Sequence, residues 1–204
     1  MDQVFNAGGA NALRDDAHGD DAARVAAVLA GTPGAFEALV RDYQRLAWHV
    51  VQRMVRHPED TRELCQEVFL RVHRYLPQYR ADAPLQAWIA QVAYSVARRH
   101  LERRRIPLAE PIDGDALAPA ERVADAFDLA AAHAEADEAR HLHAAIDALP
   151  PLQRTLLTLY HLEELPIAEI ATITGLAEGT IKSHLFRTRK ALRAVLERRI
   201  GVAA

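Results

Sequence analysis

Residues 162–196 read LEELPIAEIATITGLAEGTIKSHLFRTRKALRAVL, two helical patterns broken at Gly175. In the first, Ile167, Ile170, Ala171 and Thr174 recur at the three-to-four spacing of one buried helix face. Gly175 supplies the left-handed conformation that ends a helix at little cost, and Leu176 can plug the corner. The second pattern begins near Glu178 and is expected to bury Ile181, Leu185, Leu192 and Val195. Lys182, Ser183, Phe186, Arg187, Lys190 and Arg193 fall on its other face. A short helix, a glycine turn and a longer helix with a basic outer face make the pattern of a helix-turn-helix. The alternative is an ordinary helical hairpin with a solvated face. Two details weigh against it. The turn is too short for a relaxed antiparallel hairpin, and no acid interrupts the outer face between Gly179 and Val195. Solvated faces mix both signs. The longer helix is therefore expected to read DNA.

The whole chain sets the frame for that element. Its 204 residues suffice for one or two domains with cores of their own. Half are hydrophobic, glycine is sparse, and no alternating β-branched run occurs, so an all-α fold is expected. The net charge of −3 does not announce a nucleic-acid binder, but its distribution does. Arg98, Arg99, Arg103, Arg104 and Arg105 form one basic cluster, and Lys182 through Arg199 form another. Between them, acids from Glu110 to Glu138 stand against a single Arg122. Two basic modules joined by an acidic connector average to near neutrality. The lone Cys65 excludes an internal disulfide and fits a reducing compartment. The first residues lack an apolar signal core, and no apolar run is long enough to span a bilayer, so a soluble cytoplasmic protein is expected.

Residues 1–19 are small and polar and are expected to be disordered. Asp20 or Asp21 can cap a short helix that Gly31 closes. Thr32–Pro33 reads as a cap and first turn, opening a helix that buries Phe36, Leu39, Val40, Tyr43, Leu46, Ala47, Val50, Val51 and Met54. Pro58 ends it and starts another, with Leu64, Val68, Phe69, Val72 and Tyr75 as its buried stripe. Glu63, Gln66, Glu67, Arg71 and Arg74 lie off that stripe. After the loop LPQYRADAP, Asp82 can cap a helix whose stripe runs Leu85, Trp88, Ile89, Val92, Ala93, Val96 and Leu101. Residues 107–137 form an acidic linker, and a second module occupies 138–204, with Leu142, Ile146 and Leu149 facing inward.

Together the halves resemble a known family. DTRELCQEVFLRVHRYLPQYRADAPLQAWIAQVAYSVARRHLERRR resembles region two of a bacterial RNA polymerase sigma factor, and LPPLQRTLLTLYHLEELPIAEIATITGLAEGTIKSHLFRTRKALRAVL resembles region four. With nothing sizeable between them, the chain is similar to the extracytoplasmic-function (ECF) group. The resemblance implies two small helical domains, at 20–106 and 138–204, joined by the linker. It implies a transcription initiation factor that carries core polymerase to promoters, with no cofactor, metal or small-molecule substrate. Glu63, Gln66, Glu67, Arg71 and Arg74 would dock on the β′ coiled coil, and the second module on the β flap. Tyr79, Arg80, Gln86, Arg98, Arg99 and Arg103 would hold the minus-ten element, with Trp88 in the core. Lys182, Ser183, His184, Phe186, Arg187, Lys190 and Arg193 would meet the minus-thirty-five element, and an anti-sigma factor would hold the protein silent. The chain departs from the family pattern where Pro166 and Ala177 replace the hydroxyl residues that cap the two motif helices.

A helix-turn-helix regulator acting without polymerase is the rival reading, and it would bind duplex DNA specifically on its own. An enzyme is rejected. Among the ten histidines, His141 and His143 do not share a helix face, and His133 lies two turns from His141. No metal-ligand set or glycine-rich phosphate loop occurs.

Overall fold

The computed structural model describes residues 20–108 and 142–200, and all regular structure among them is helical. Helix α1 (20–29) precedes α2 (Ala35–Val55), α3 (Pro58–Tyr75) and α4 (Leu85–Arg103). Past the undescribed segment come α5 (142–148), α6 (Pro151–Leu157) with a π-helical extension over Thr158–Leu162, α7 (Ile167–Thr174) and α8 (Glu178–Ile200). The expected disordered tail at 1–19 and nearly all of the acidic linker at 107–137 lie outside the described residues. No described helix is long and apolar enough to cross a membrane.

Helix α4 is the axle. It packs against α2, α3 and α7, and Ala87, Ala90, Ala93 and Ala97 are at most 1% exposed, letting neighbouring backbones approach closely. Leu85, Ile89 and Leu101 fill the space between. The expected stripes of α2 and α3 are buried apart from their margins. Phe36, Val40 and Tyr43 are half-buried, while Tyr75 is 40% exposed and carries the Arg74 guanidinium over its ring at 5.6 Å. Trp88, expected in the core, is half-buried and stacks at a tilt on Tyr79, 5.5 Å between centroids.

Two helix starts differ from the sequence expectation, and at α4 the local cap signal loses to a long-range partner. Helix α2 begins after Gly34, whose φ of 77° is left-handed, while Thr32 contributes only its carbonyl to the Ala35 N–H. Helix α4 begins after Pro84, and Asp82 does not cap it. The buried first-turn N–H of Leu85 instead donates to Oδ2 of Asp21 at 2.9 Å, sixty-four residues away. Asp21 therefore caps a distant helix rather than its own. Its Oδ1 accepts from the Tyr43 hydroxyl at 3.1 Å, and that oxygen in turn accepts from Arg24 at 3.3 Å. Burial, reinforced by Asp21, pushes the Tyr43 phenol up to about 12. Helix α1 closes as expected: Gly31 takes φ 70° and the Thr32 N–H reaches back to Ala27.

The two halves do not stand apart. Buried residues from both join one apolar cluster, α2 touches α6, and α4 touches α7. Arg154, 5% exposed, ties the junction. Its guanidinium donates to the carbonyls of Arg53 at 2.7 Å and Met54 at 3.4 Å in the last turn of α2. It also donates to Asp147 at 2.9 Å and to Leu149, at the end of α5. His49 on α2 donates Nδ1–H to Oε1 of Glu163 at 2.6 Å, since a carboxylate has no proton to offer. Arg56 reaches the Asp147 carbonyl at 2.6 Å.

The remote cap yields a clear stability contrast. Asp21→Ala leaves the Leu85 N–H and the Tyr43 hydroxyl without their buried acceptor, so denaturant unfolding should lose about 2 kcal/mol. Asp20→Ala removes only an exposed ion pair to Arg24 and should lose less than about 0.5 kcal/mol. Equal losses would contradict the assignment.

Candidate nucleic-acid interface

The helix-turn-helix forms as its spacing requires. Gly175 ends α7 with φ 74°, and its N–H bonds the Ala171 carbonyl at 2.8 Å. Thr174 stitches the corner. Its hydroxyl donates to the Ile170 carbonyl at 2.7 Å and accepts from the Leu176 N–H at 3.4 Å. Pro166 gives α7 no side-chain cap, consistent with the missing hydroxyl there. Ile173 joins Ile170 and Thr174 in the core, while Ile167 and Ala171 stay half-buried.

On α8, Ile181, Leu185, Leu192 and Val195 are buried against α6 and α7. Lys182, Ser183, Phe186, Arg187, Lys190 and Arg193 are exposed together on the other side. Phe186 is 68% exposed. Lys182 pairs with Glu178 at 3.3 Å, and the Ser183 hydroxyl bonds back to the Gly179 carbonyl at 2.9 Å. His184 is the exception. It is 5% exposed, turned inward beside Thr188, whose hydroxyl lies 3.4 Å from Oε1 of Gln153 on α6. The structure thus removes His184 from the outward set. It stands three residues after Ile181, and that spacing already assigns it to the inner face.

The surface expected to hold the minus-ten element is more structured than its loop suggested. The Tyr79 hydroxyl donates to the Ala83 carbonyl at 2.7 Å, folding the loop onto Trp88. Beside them lies a cavity of about 260 Å³ lined by Gln78, Tyr79, Arg80, Asp82, Ala83, Trp88, Gln91 and, from α7, Thr172. Gln86, half-buried in the first turn of α4, is not part of that lining. Arg98, Arg99 and Arg103 are exposed along the end of α4, with Arg98 held by Glu102 at 3.0 Å. Arg104 pairs with Asp60 at 3.1 Å, so it serves the fold.

On α3, Glu63, Gln66 and Arg74 are exposed, and Glu67 pairs with Arg71 at 2.5 Å, both half-buried. Leu70 sits among them, 72% exposed. The sequence reading passed it over. Its position three and four residues after Glu67 and Gln66, off the buried stripe, was the available signal.

Comparison with known proteins follows the same division. The family model "Sigma-70 region 2" matches residues 39–106, and "Sigma-70, region 4" matches 139–192. The chain is 30% identical over 178 residues to the RNA polymerase sigma-H factor of Pseudomonas aeruginosa, covering 83% of this chain and 90% of that protein. It is 30% identical over 184 residues to the ECF RNA polymerase sigma-E factor of Escherichia coli, covering 84% and 92%. The ECF sigma factor SigM of Mycobacterium tuberculosis is 30% identical over 176 residues, covering 86% and 84%. The chain belongs to the ECF sigma factors. Two solved structures share the fold: CnrH in complex with the cytosolic domain of CnrY (TM-score 0.60, 18% identity, 87% of this chain and 97% of that one), and RpoE of Bartonella quintana with the anti-sigma factor NepR (0.58, 17%, 80% and 98%).

In this sigma factor the inward His184 has a measurable consequence. Burial, and secondly the Arg187 cation, hold its imidazole below the ordinary 6.5. The fold therefore favours the neutral ring. Its contribution is complete above the ordinary value and is lost as pH falls through 6.5 toward the depressed one. The thermal midpoint should drop between about pH 7.5 and about pH 5.5, and His184→Gln should flatten part of that drop. An unchanged pH slope in the variant would place His184 outside the core.

Proposed function

We propose that this ECF sigma factor binds core RNA polymerase through α3 and directs it to promoters, reading the minus-ten element with α4 and its preceding loop and the minus-thirty-five element with α8. One observation carries the reading: a single chain joins a basic exposed helix-turn-helix face, with no acid between Gly179 and Val195, to a second helical module that matches region 2 of the same family.

On α8, residues near the start enter the major groove most deeply, so Ser183, Phe186 and Arg187 face base edges, while Lys190 and Arg193 sit nearer phosphate. Arg187 suits a bidentate pair to guanine, and Phe186 suits a thymine methyl. Lys182 flanks them as a backbone contact. In the first module, the Tyr79–Trp88 cavity with Arg80, and Gln86 in the first turn of α4, suit unstacked bases, and Arg98, Arg99 and Arg103 suit the phosphates beside them. Leu70, ringed by Glu63, Gln66, Glu67, Arg71 and Arg74, is an apolar centre with a polar rim, the anatomy of an interface that forms and releases. The division at 20–106 and 138–204, the 107–137 tether running through the polymerase channel, and docking of the second module on the β flap belong to the same reading. So do a cytoplasmic location and the absence of any catalytic group in the chain, the bond-forming chemistry being the polymerase's. An anti-sigma factor is the expected regulator, as the partner named for the RpoE fold relative supports.

Two experiments test the surfaces separately. Leu70→Ala and a Gln66→Ala/Glu67→Lys pair should each weaken core binding at least about tenfold, as central interface residues do, with thermal stability nearly unchanged. Core affinity equal to the unaltered chain in both variants would remove α3 from the interface. Selection on randomised minus-thirty-five elements with the holoenzyme should show Arg187→Ala losing about 1–3 kcal/mol of preference at one base pair. Lys190→Ala should weaken binding without altering preference. The reverse pattern would mean that α8 enters the groove in another phase.

A further inference from the structure

The outer face of α2 belongs to none of the surfaces assigned above. At about 100° per residue, Arg41, Arg45, Trp48, Gln52 and Arg56 fall in one stripe, opposite the buried side centred on Val50. No acid occurs between Asp42 and Glu59, and Asp42 itself is turned to Arg24 at 3.6 Å. Arg41 and Arg45 are both exposed, and among the described residues no ion pair engages either. Trp48, one turn further on, is 37% exposed and walls a cavity of about 320 Å³. The rest of the lining is His49, Gln52, Arg53, Arg56 and Asp147, so no aliphatic side chain faces the space. Gln52 accepts from the Thr61 hydroxyl at 2.6 Å through Oε1, which leaves its amide hydrogens for the cavity. Arg53 and Arg56 stand 3.7 and 3.5 Å from the Asp147 carboxylate.

These features select a ligand chemistry. Two unneutralised guanidinium groups in a row attract a polyanion. An amphipathic helix needs an apolar groove for several side chains, and the stripe offers one aromatic ring. An exposed indole among polar groups suits the face of a nucleobase, and the cations beside it suit phosphates. Asp147 repels a phosphate from the cavity but accepts from the amino group of a base, so base and phosphate have separate places. Arg41 and Arg45 are spread along the helix axis rather than converging on one point, a geometry for a nucleic-acid backbone rather than for a free polyphosphate. We propose that the outer stripe of α2 is a further nucleic-acid surface, which binds a single strand with one base in the cavity against Trp48 and neighbouring phosphates on Arg45 and Arg41. It is separate from the minus-ten surface, because α4 packs against the buried side of α2.

The test uses the full chain with Trp88→Phe, in which Trp48 is the remaining indole and its emission reports on the site. Single-stranded DNA of about ten nucleotides, a length within the usual range for such surfaces, should quench that emission. Arg41→Gln with Arg45→Gln should leave the thermal midpoint in place and lower the slope of log affinity against log salt by about 1.4, the amount expected for two phosphates of a single strand. Arg98→Gln with Arg99→Gln on α4 should leave the quenching unchanged. In that α4 variant, Trp48→Leu should weaken binding of a labelled strand at least about fivefold, the least that a lost base stack removes. Absent quenching, an unchanged salt slope, or quenching that disappears with the α4 pair would each overturn the proposal. Quenching by ATP, by a duplex of the same length or by polyglutamate at concentrations as low as the strand requires would also overturn it, since the stripe would then be a mononucleotide, duplex or acidic-protein site.

Discussion

A charged guanidinium taken out of water costs several kcal/mol unless its donors are met. Arg154 meets that requirement with four backbone carbonyls, two at the end of α2 and two at the end of α5. Helix C-termini leave carbonyls unpaired and carry partial negative charge, so one cation satisfies two helix ends that belong to different halves of the chain. Burial, and then the neighbouring Arg56, lower its pKa to about 10, with Asp147 pulling the other way. It remains charged at neutral pH. A lysine could not reproduce the arrangement, because its single ammonium lacks the planar fork that addresses acceptors on two sides.

The position of everything functional follows from that junction. With α6 anchored to α2, the π-helical turn at Thr158–Leu162 brings Glu163 to His49. The following α7 then lies along α4 and α8 is held by α6 and α7 with its basic face outward. The same anchoring that fixes α8 sets the helix-turn-helix corner beside α4.

Much of this was legible in sequence wherever it depended on spacing. The turn at Gly175, the inward set from Ile181 to Val195 and the outward basic set follow from helical period alone. What escaped depends on partners far along the chain. Asp82 and Thr32 carry local cap signals, yet α4 takes its cap from Asp21 and α2 starts at a left-handed Gly34. Arg154 reads as an ordinary surface cation until the ends of α2 and α5 are brought to it. His184 illustrates a different failure: its spacing points inward, and only the family resemblance put it among the DNA-contacting residues. Leu70 is the converse, an apolar residue whose spacing points outward.

The account stands or falls on whether the chain acts as a subunit of polymerase. The direct measurement is run-off initiation by purified core enzyme, with and without the full chain, on templates randomised over both promoter boxes. The account predicts initiation only when the chain is present, with selected templates carrying two sequence elements at one fixed spacing and little binding of the free chain to the same duplexes. Specific duplex binding by the chain alone, together with initiation that it does not change, would contradict it.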